Sequence, residues 1–554
     1  MCLLCLTDGF IYNLFGIQIR VSNYKNPLLV LSILWFVKKI FFTESVNEVR
    51  LFFKKTIFFI STLLVLLLLN FLIYGYYQRG FFEHDTKEIY FDSYRNISHA
   101  GYDLTAENKD WNVILISIDT LRADHLGCYG YVRNTSPHIN DLATQGVLFK
   151  EHIAPAPSTL PSHASMFTSL NPFAHKAEWV TAVPLDSTIV TLAEVLRKEN
   201  FSTAAFTGGG QISKKYGFDQ GFQIYDDEGG GIAPVLQKTL DWLRGNKDKR
   251  FFLFFHTYEV HHPYVPPKSY DGLFYPEYSG KLGNNISIEM LKKINKGKQK
   301  IDENDRKHIV AQYDEGIVYM DEQLNKLFEE LKYLKIWDKT LIVFTSDHGE
   351  EFNEHGKMGW HGHTLYDELL KIPLIIRFPD NSYSGTIIEQ QTRGIDIFPT
   401  IVGILNINPP NMIQGTSLAP LISSTKTKMF LPALSESESG GNTYKLKKSL
   451  RFKDNKFVFL SSVRSPSTFF EKCLSKMFFF RLDTYASKRE LYNIRNDPME
   501  KNNIFRNQRV ISRQYESKIL ELREENSLIS DSFKAEKNQD YKKLQKKLRA
   551  LGYL

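Results

Sequence analysis

The sequence predicts an α/β fold, in which helices cover a sheet that contains parallel strands. Three apolar stretches each end beside a reactive side chain: Trp111–Asp119, Arg250–Tyr258 and Thr340–Gly349. Helical patterns such as VLQKTLDWLRGN and GIVYMDEQLNKLFEELKYL precede the second and the third stretch. Apolar runs of this length are typical of buried parallel strands. Their alternation with helices therefore favours one large α/β domain.

The composition is that of a globular protein, and it excludes several other classes. The 554 residues are 43% hydrophobic and 24% charged, so the chain is neither disordered nor fibrous. A net charge of +7 is a small excess for this length, and we expect no nucleic-acid partner. The 4 Cys residues include no C-x-x-C pair. A disulfide scaffold and a thiolate zinc site are therefore excluded, and a single Cys128–Cys473 disulfide is left open.

The N-terminal part carries a membrane signal. Thr56–Tyr77 is uncharged and long enough to cross a hydrocarbon layer of ~30 Å as a helix. Basic residues precede this stretch and acidic residues follow it: Lys38, Lys39, Arg50, Lys54 and Lys55, then Glu83, Asp85, Glu88 and Asp92. This asymmetry predicts a membrane anchor with everything after Gln78 on the extracytoplasmic side. A shorter apolar run at Pro27–Val37 is either a further span, over 27–42, or a helix lying in the interface.

The chain divides into five predicted parts. Beyond about Leu431 short strands with turns replace the long helices, which indicates a smaller antiparallel subdomain. The last part is rich in Glu, Lys, Arg and Leu, as in surface helices. The predicted parts are an N-terminal membrane segment (1–82), a polar linker (83–110), the catalytic domain (111–430), the antiparallel subdomain (431–505) and a helical tail (506–554).

Reactive side chains follow the predicted strands and are expected to meet. Asp119 ends the first strand, His256 lies at the end of the second, and Asp347 and His348 end the third. In open α/β sheets, ligands bind beyond the carboxyl ends of the strands. Taken singly, each residue also suits a helix cap or a buried structural histidine. Taken together, two carboxylates and an imidazole predict a site for a divalent metal.

A hydroxyl-rich segment, APAPSTLPSHASMFTSLNP, lies between these strands. Thr159 precedes Pro161 and an apolar stretch typical of a helix start. A hydroxyl beside a metal and a helix N-terminus can act as a nucleophile, while the helix amides hold an anion. The alternative for this segment alone is an ordinary capping role.

In their order along the chain, these segments resemble the sulfatase family of the alkaline-phosphatase-like superfamily. The resemblance covers roughly Trp111 to Ile504, and the matching pieces are NVILISIDTLRADHLGCYGY, APSTLPSHASMFTSLNP, FFLFFHTYEVHHPYVPP, YDEGIVYMDEQLNKL, LIVFTSDHGEEFNEHG, HGHTLYDELLKIPLII, RGIDIFPTIVGIL and ELYNIRNDPMEKNNI. It implies a mixed sheet sandwiched by helices, with a smaller C-terminal antiparallel subdomain. It also implies an enzyme that acts on sulfuric or phosphoric esters.

The resemblance places Thr159 at the nucleophile position. The family motif C/S-x-P-S-R aligns with Thr159-Leu160-Pro161-Ser162-His163, so His163 stands where the family has arginine. Sulfatases carry Cys or Ser that is oxidised to formylglycine, and Thr cannot give that aldehyde. A Thr nucleophile resembles instead the membrane-anchored phosphoethanolamine transferases and lipoteichoic-acid synthases of the same superfamily.

The resemblance also implies one divalent metal ion held by Asp119, Thr120, Asp347 and His348. The family has two adjacent acidic residues after the first strand, and Asp-Asn or Asp-His after the later one. Here the pairs are Asp119-Thr120 and Asp347-His348. An imidazole in place of an oxygen ligand favours Mn²⁺ or Zn²⁺, with Ca²⁺ or Mg²⁺ as alternatives.

Histidines complete the site that the resemblance implies. His256 and His261 match the segment H-x-x-D-P-H-x-P-Y, whose histidines contact the anion or protonate the leaving group, whereas we expect His262 to pack. The anion-binding lysine of many sulfatases falls near His361 or His363, and His363 is our candidate for its replacement. The family's G-K-W-H segment is missing, and a solvated role is expected for the nearby lysines Lys214 and Lys215.

These residues predict a membrane-anchored, extracytoplasmic hydrolase that attacks sulfate or phosphate esters through Thr159 with the help of a metal. Its expected substrate is a sulfated or phosphorylated glycan or lipid, bound by the loops at Gly208–Gly231 and Ser269–Lys307. One alternative is a transferase of phosphoethanolamine or phosphoglycerol to an envelope glycan or lipid. Another is an inactive relative that binds anionic glycans.

Overall fold

A computed structural model describes residues 10–14, 17–21, 110–178, 183–424, 427–439, 444–463 and 485–535. The chain separates into two compact units, Met1–Glu88 and Ile89–Leu554. In the first unit, Phe10–Leu14 (β1) and Ile17–Val21 (β2) pair as an antiparallel hairpin. No helix among the described residues has the length and apolar character needed to cross a bilayer. The predicted anchor at Thr56–Tyr77 and the run at Pro27–Val37 lie outside the described residues.

An eight-stranded mixed sheet forms the centre of the second unit. Its strands are β3 (Asn112–Ile118), β4 (Val147–Ile153), β5 (Ser202–Phe206), β6 (Ile224–Asp226), β7 (Phe251–Thr257), β8 (Thr340–Ser346), β11 (Lys371–Arg377) and β12 (Thr386–Arg393). A separate small antiparallel pair, β9 (Glu351–Phe352) and β10 (Met358–Trp360), follows β8. The order across the sheet is β12-β4-β11-β8-β3-β7-β5-β6. Within it, β11 runs antiparallel to both of its neighbours, and the other strand pairs are parallel. The predicted α/β class with a mixed sheet is therefore confirmed.

The three predicted strands form the buried middle of this sheet. All seven residues of β3, β7 and β8 are buried. Successive residues of β3 point to opposite faces, so Val113 and Leu115 belong to one hydrophobic core while Ile114 and Ile116 belong to another. A strand buried on both faces needs helices on both faces, and the apolar runs of the sequence reflect this.

Helices cover both faces of the sheet. They are α1 (Pro137–Thr144), α2 (Thr159–Thr168), α3 (Pro172–His175), α4 (Leu192–Lys198), α5 (Ile232–Asn246), α6 (Ile288–Asn295), α7 (Glu303–Tyr333), α8 (Asp367–Leu370), α9 (Ile397–Ile404) and α10 (Ala419–Ser423). Helices α2, α4 and α9 pack on the face that contains Val113, and α1, α5 and α7 pack on the face that contains Ile114. The result is three layers, with the carboxyl ends of the parallel strands left open for a site.

A four-stranded antiparallel sheet follows, as predicted for the C-terminal part. Its strands are β13 (Ala433–Ser439), β14 (Tyr444–Phe452), β15 (Asn455–Val463) and β16 (Tyr485–Asn493), in that order across the sheet. Helix α11 (Arg509–Ala535) packs Tyr515 and Ile519 against Leu450 and Phe457 of this sheet. Cys128 is a free thiol, and Cys473 lies outside the described residues.

The two stretches expected as substrate loops are only partly irregular. Gly208–Gly231 contains β6, and Ser269–Lys307 contains α6 and the first turn of α7. Asp302 and Asp305 form a capping box that fixes the start of α7. In helix α6 Leu291 is buried, and Met290 and Ile294 pack partly buried against the same core, so this stretch is an amphipathic helix where an irregular loop was expected.

Candidate active site

The register of the central strands brings the predicted carboxylates to one edge of the sheet. Ile118 of β3 lies opposite Thr257 of β7 on one side and opposite Ser346 of β8 on the other. Asp119 and Asp347 come next along their strands. Parallel strands in register place residues that follow them side by side, so the two carboxylates meet although 228 positions separate them in the sequence (347 minus 119).

Thr159 is the first residue of α2, and its hydroxyl faces the carboxylates. Thr159 donates a hydrogen bond through Oγ1 to Asp119 Oδ2 at 3.1 Å, and Oγ1 lies 3.3 Å from His348 Nε2. Pro161 stands in the first turn, where a missing N–H costs no helical hydrogen bond. Every residue of α2 is buried, so the partial positive charge of the helix N-terminus acts at Thr159 without solvent screening.

Asp119, Asp347 and His348 form a group that can hold a metal ion. One ligand atom from each lies within 4.8 Å of the other two. Asp119 Oδ1 and Asp347 Oδ2 are buried and have no hydrogen-bond partner among the described residues. Burial raises the pKa of both carboxyls, and the charge of Asp119 raises that of Asp347 further. Two buried carboxylates with unused oxygens beside an imidazole fit a divalent cation.

The neighbouring side chains hold this group in place. His348 Nδ1 donates to the carbonyl of Gly349 at 2.9 Å, so a neutral ring, the form that binds a metal, would carry its lone pair on Nε2. The amide of Thr120 donates to Asp347 Oδ1 at 3.2 Å. Thr120 Oγ1 is buried without a hydrogen-bond partner among the described residues. The structure thus groups three of the four predicted metal residues, and it holds Thr120 beside them through its amide.

His163 lies beneath Thr159, at the position of the family's arginine. Its Nδ1 donates to the carbonyl of Thr159 at 3.0 Å, and its Nε2 accepts a hydrogen bond from Ser117 Oγ at 2.9 Å. Burial lowers the pKa of His163 to about 4, so the imidazole is neutral at pH 7. The site therefore lacks the positive charge that an arginine would supply there, and His163 instead fixes the backbone of Thr159.

His256 faces the same group from β7. The amide of Gly208 donates to His256 Nδ1 at 3.4 Å, which leaves the proton of the neutral ring on Nε2. Nε2 is buried without a hydrogen-bond partner among the described residues and lies 3.7 Å from Asp119 Oδ2. Burial lowers the pKa of His256 to about 4. His256 is thus an N–H donor beside Asp119 that has no hydrogen-bond partner among the described residues.

The other predicted residues lie further out. His261 stacks beside His262 and His361, with ring centroids 4.1 Å and 5.0 Å away. His361 is the imidazole placed against His348, at a centroid distance of 4.5 Å, whereas the ring contact of His363 is with Trp360 at 6.1 Å. The lysine at 214 is more than half exposed and pairs with Asp227.

Several residues that build the site were not predicted. Gln211 accepts a hydrogen bond from the amide of Leu160 at the start of α2, and Tyr313 donates to the carbonyl of Thr120 at 2.8 Å. Glu350 is fully buried and contacts His361. The segment D-H-G-E-E, in which Glu350 follows the metal pair by two residues, is the sequence signal that could have revealed it. Gln211 and Tyr313 carry no such signal, because they reach the site only through the tertiary fold.

The comparisons with known proteins show the family. The sulfatase family profile matches residues 111–407, which is more than half of the chain. The chain therefore belongs to the sulfatase family, as its motifs predicted.

Individual relatives act on several kinds of ester. The chain is 25% identical over 403 residues to the multifunctional alkaline phosphatase superfamily protein PehA of Trinickia caryophylli, covering 57% of this chain and 77% of that protein. It is 23% identical to an N-acetylglucosamine-6-O-sulfatase of Bacteroides thetaiotaomicron, and the match covers 57% of this chain and 71% of that protein. The phosphonate monoester hydrolase of Agrobacterium radiobacter has the same fold, with a TM-score of 0.60 and 20% identity. The match covers 75% of this chain and 96% of that protein.

Proposed function

We propose that this protein is a metal-dependent hydrolase of sulfate or phosphate esters in which Thr159 is the nucleophile. One observation carries the proposal: the Thr159 hydroxyl lies 3.1 Å from Asp119 Oδ2 and 3.3 Å from His348 Nε2, at the N-terminus of a buried helix. A hydroxyl in this position can lose its proton and attack an anionic ester. A divalent cation held by Asp119, Thr120, Asp347 and His348 would lower the pKa of the hydroxyl and neutralise charge on the transferred group.

In the first step, Thr159 Oγ1 forms a bond to the sulfur or phosphorus atom and the bond to the leaving oxygen breaks. The hydroxyl proton passes to Asp119 Oδ2, the acceptor that it already faces, and from there through solvent to the leaving oxygen, which departs as an alcohol. His256 donates a hydrogen bond from Nε2 to an oxygen of the reacting group. The dipole of the buried helix α2 stabilises the negative charge.

In the second step, water attacks the sulfur or phosphorus atom and releases Thr159. If a hydroxyl of a glycan or lipid replaced water, the same covalent intermediate would make the protein a transferase. The threonine favours this second candidate, because it cannot form the aldehyde of a formylglycine sulfatase and resembles the nucleophile of phosphoethanolamine transferases. The two candidates share the nucleophile and differ only in the acceptor.

The proposed substrates are sulfated or phosphorylated glycans or lipids. A relative is an N-acetylglucosamine-6-O-sulfatase. A structural neighbour was solved in complex with its substrate D-glucosamine-2-N,6-O-disulfate. These relatives support an anionic sugar ester here, and the relative PehA, named as a multifunctional protein of the alkaline phosphatase superfamily, supports a phosphorus ester as the alternative.

We also propose that the chain is anchored in a membrane with its catalytic domain on the extracytoplasmic side. The support is the uncharged stretch Thr56–Tyr77 with basic residues before it and acidic residues after it. Carbonate extraction of membranes tests the anchor, and protease accessibility in intact cells tests the orientation.

The test of the hydrolase proposal compares Thr159→Ala with Thr159→Ser. The purified full chain, loaded with Mn²⁺ or Zn²⁺, is assayed on an aryl sulfate, an aryl phosphate monoester and an aryl phosphodiester. We expect Thr159→Ala to lose ~10³-fold or more of its turnover, because a missing nucleophile leaves only binding and electrostatic effects. Thr159→Ser keeps a hydroxyl at the same place and should retain a large share of the activity.

Mass spectrometry of the protein during turnover should show one sulfo or phospho group on Thr159. Full activity of Thr159→Ala would contradict the mechanism. If the wild type hydrolysed none of the three esters, the hypothesis of an inactive relative that binds glycans would be favoured. A long-lived phospho-threonine that a glycan or lipid discharges faster than water would favour the transferase.

A further inference from the structure

We propose that a cluster of exposed lysines beside the candidate active site binds the anionic chain of an extended glycan substrate. The inference deepens the proposed function and rests on it, because it assigns a place to the rest of the molecule whose ester reaches Thr159. The cluster, which we call the lysine face, lies on helix α6 and on the residues that follow it. Its members are all exposed, and they are Lys292, Lys293, Lys296, Lys298 and Lys300.

Positive charge is concentrated in this part of the chain. Residues 281–301 include six Lys and one Glu, a formal charge of +5, whereas the whole chain carries +7. Among the residues that the structure describes, none forms an ion pair with the lysine face. The acidic residues that follow are already engaged, since Asp302 caps α7 and Glu303 pairs with Arg306 at 2.6 Å. The charge of the lysine face is therefore available to a partner.

The fold holds these lysines in place. The apolar side of α6 is turned to the core, where Leu291 is buried and Met290 and Ile294 pack beside it. The amide of Lys298 donates to the carbonyl of Lys293 at 2.9 Å, so the chain folds back at the end of α6 and keeps the following lysines close to the helix. A partner therefore meets cations on a positioned element, and little backbone order has to be created on binding.

Helix α6 is attached to the strand that leads into the candidate active site. The side-chain amide of Asn295 donates to the carbonyl of Met358 at 2.9 Å and accepts a hydrogen bond from the amide of Met358 at 2.8 Å. Met358 begins β10, and the ring of His361, directly after β10, lies 4.5 Å from that of His348 between centroids. Strand β10 thus connects the lysine face to the metal group.

Stabilisation of α6 alone does not account for five lysines. The carboxyl end of a helix is equivalent to about half a negative charge, which one cation in the last turn satisfies. Lys292 and Lys296 are four residues apart on the helix and repel each other, and the remaining lysines add to this repulsion. A single exposed ion pair contributes little free energy, so a partner has to carry several negative charges to bind here.

An anionic glycan chain fits this surface better than a membrane does. A helix that binds a bilayer presents apolar side chains to the lipid together with its cations. The apolar side of α6 is occupied by the core, and residues 281–300 expose no large hydrophobic side chain. A hydrated polyanion needs only charge from the protein. We therefore assign the lysine face to repeated sulfate or phosphate groups along a glycan.

The experiment measures binding of fluorescein-labelled dextran sulfate to the full chain in detergent, by fluorescence anisotropy. One variant removes the charge of the lysine face through Lys292→Gln, Lys293→Gln, Lys296→Gln, Lys298→Gln and Lys300→Gln. The matched control removes the same charge from exposed lysines that precede β5, β7 and β8, at the opposite edge of the sheet from the candidate site: Lys198→Gln, Lys247→Gln, Lys249→Gln, Lys335→Gln and Lys339→Gln.

We expect the lysine-face variant to bind dextran sulfate about tenfold or more weakly than the wild type, and the control variant to stay within about twofold of it. The wild-type association constant should fall between about 50 and about 200 mM NaCl, and less steeply in the lysine-face variant, because fewer counterions are released. Neutral dextran should not bind, and circular dichroism checks that all three proteins are folded.

Two results of the binding assay would overturn the proposal. An equal loss in both variants would show an effect of net charge rather than of the lysine face. If duplex DNA, or micelles containing phosphatidylglycerol, bound more tightly than dextran sulfate and lost this binding in the lysine-face variant, the surface would belong to another class of partner.

Competition tests the connection to the active site. Dextran sulfate should inhibit turnover of the aryl ester by the wild type, and the lysine-face variant should need ~10-fold more of it for half inhibition. Binding without inhibition would overturn the placement of a substrate chain on this surface. If the wild type turned over no ester, the hydrolase proposal would fail, while the anisotropy assay would still decide whether the lysine face binds a polyanion.

Discussion

At the scale of the residue, the group of Asp119, Asp347 and His348 carries negative charge that the fold does not neutralise by itself. Asp119 and Asp347 are fully buried, and each has one oxygen without a partner among the described residues. His348 is the nearest positive group, and although burial lowers its pKa, the two carboxylates outweigh this and raise it. One imidazole cannot satisfy two carboxylates. The stability of the protein should therefore depend on its metal.

A first prediction concerns Asp119→Asn. Removing one of the two buried charges should raise the free energy of unfolding of the metal-free protein by about 1–3 kcal/mol, because it relieves repulsion between like charges. Thermal melts with and without a chelator measure the effect. The wild-type melting temperature should fall on chelation, whereas that of Asp119→Asn should change little. Asp141→Asn, at an exposed position of α1, is the control and should behave as the wild type. If chelation lowered the melting temperature of Asp119→Asn as much as that of the wild type, the assignment of Asp119 as a metal ligand would be contradicted.

A second prediction concerns the pH dependence that Glu351 imposes. Burial raises the pKa of Glu351 from 4.5 to about 7, although it accepts hydrogen bonds from the amide of Lys357 and the hydroxyl of Thr364. The folded protein therefore holds a proton that the unfolded chain releases between pH 4.5 and 7. The contribution of Glu351 to stability is fully present below pH 4.5 and is lost as the pH rises through 7.

This loss amounts to at most about 3 kcal/mol, and Glu351→Gln should abolish it, since an amide can keep both hydrogen bonds without titrating. Urea denaturation at pH 5.5 and pH 8 measures the difference between the two proteins. Glu277→Gln, an exposed carboxylate, is the control. An unchanged pH dependence in Glu351→Gln would show that Glu351 is ionised in the folded protein at neutral pH.

At the scale of the element, a buried ion cluster joins the antiparallel sheet to the catalytic domain. Lys456 of β15 is fully buried and lies 2.7 Å from Asp367 at the start of α8 and 2.9 Å from Glu500, which follows β16. Asp367 and Arg451 of β14 also pair at 3.3 Å. The cluster therefore links α8 of the catalytic domain to β14 and β15 of the antiparallel sheet.

A third prediction follows for Lys456→Met. The substitution leaves Glu500 buried without its cation and Asp367 with Arg451 alone, and a broken buried pair typically costs about 3–5 kcal/mol. Equilibrium urea denaturation measures this loss. Lys488→Met is the matched control on the neighbouring strand, because Lys488 pairs with Glu490 from an exposed position, and its loss should cost less than about 1 kcal/mol. A similar small effect at Lys456 would mean that the cluster does not hold the sheet.

The elements also show what the sequence can and cannot predict. The apolar runs of β3, β7 and β8 predicted buried parallel strands, because a strand buried on both faces has a continuous run of apolar residues and no alternation of apolar and polar ones. The metal group was predictable for the same reason, since Asp119 and Asp347 follow those strands directly. The cluster of His261, His262 and His361 could not be predicted from the sequence. It depends on two loops that are brought together by tertiary contacts such as those of Glu350.

At the scale of the whole molecule, the described core of the second unit begins at its central strand. The buried residues start at Asn112 on β3, and the compact unit extends from Ile89 to the end of the chain. Strand β3 pairs with β7 on one side and with β8 on the other, so it cannot be removed without opening the sheet. Trp111, directly before β3, is the first described residue of this unit to pack against a core of the sheet. The catalytic domain should therefore fold without the N-terminal segment.

The fourth prediction tests this with a fragment that lacks Met1–Gln78. We expect it to remain in solution without detergent, to melt cooperatively and to bind the same number of metal ions as the full chain, because the predicted anchor is gone and the sheet is intact. Size-exclusion chromatography, thermal melts and metal analysis check these points. A shorter fragment that begins at Ser117 is the control, since it loses most of β3 and should not fold. Aggregation of the longer fragment would show that residues before Arg79 pack against the catalytic domain and help to build it.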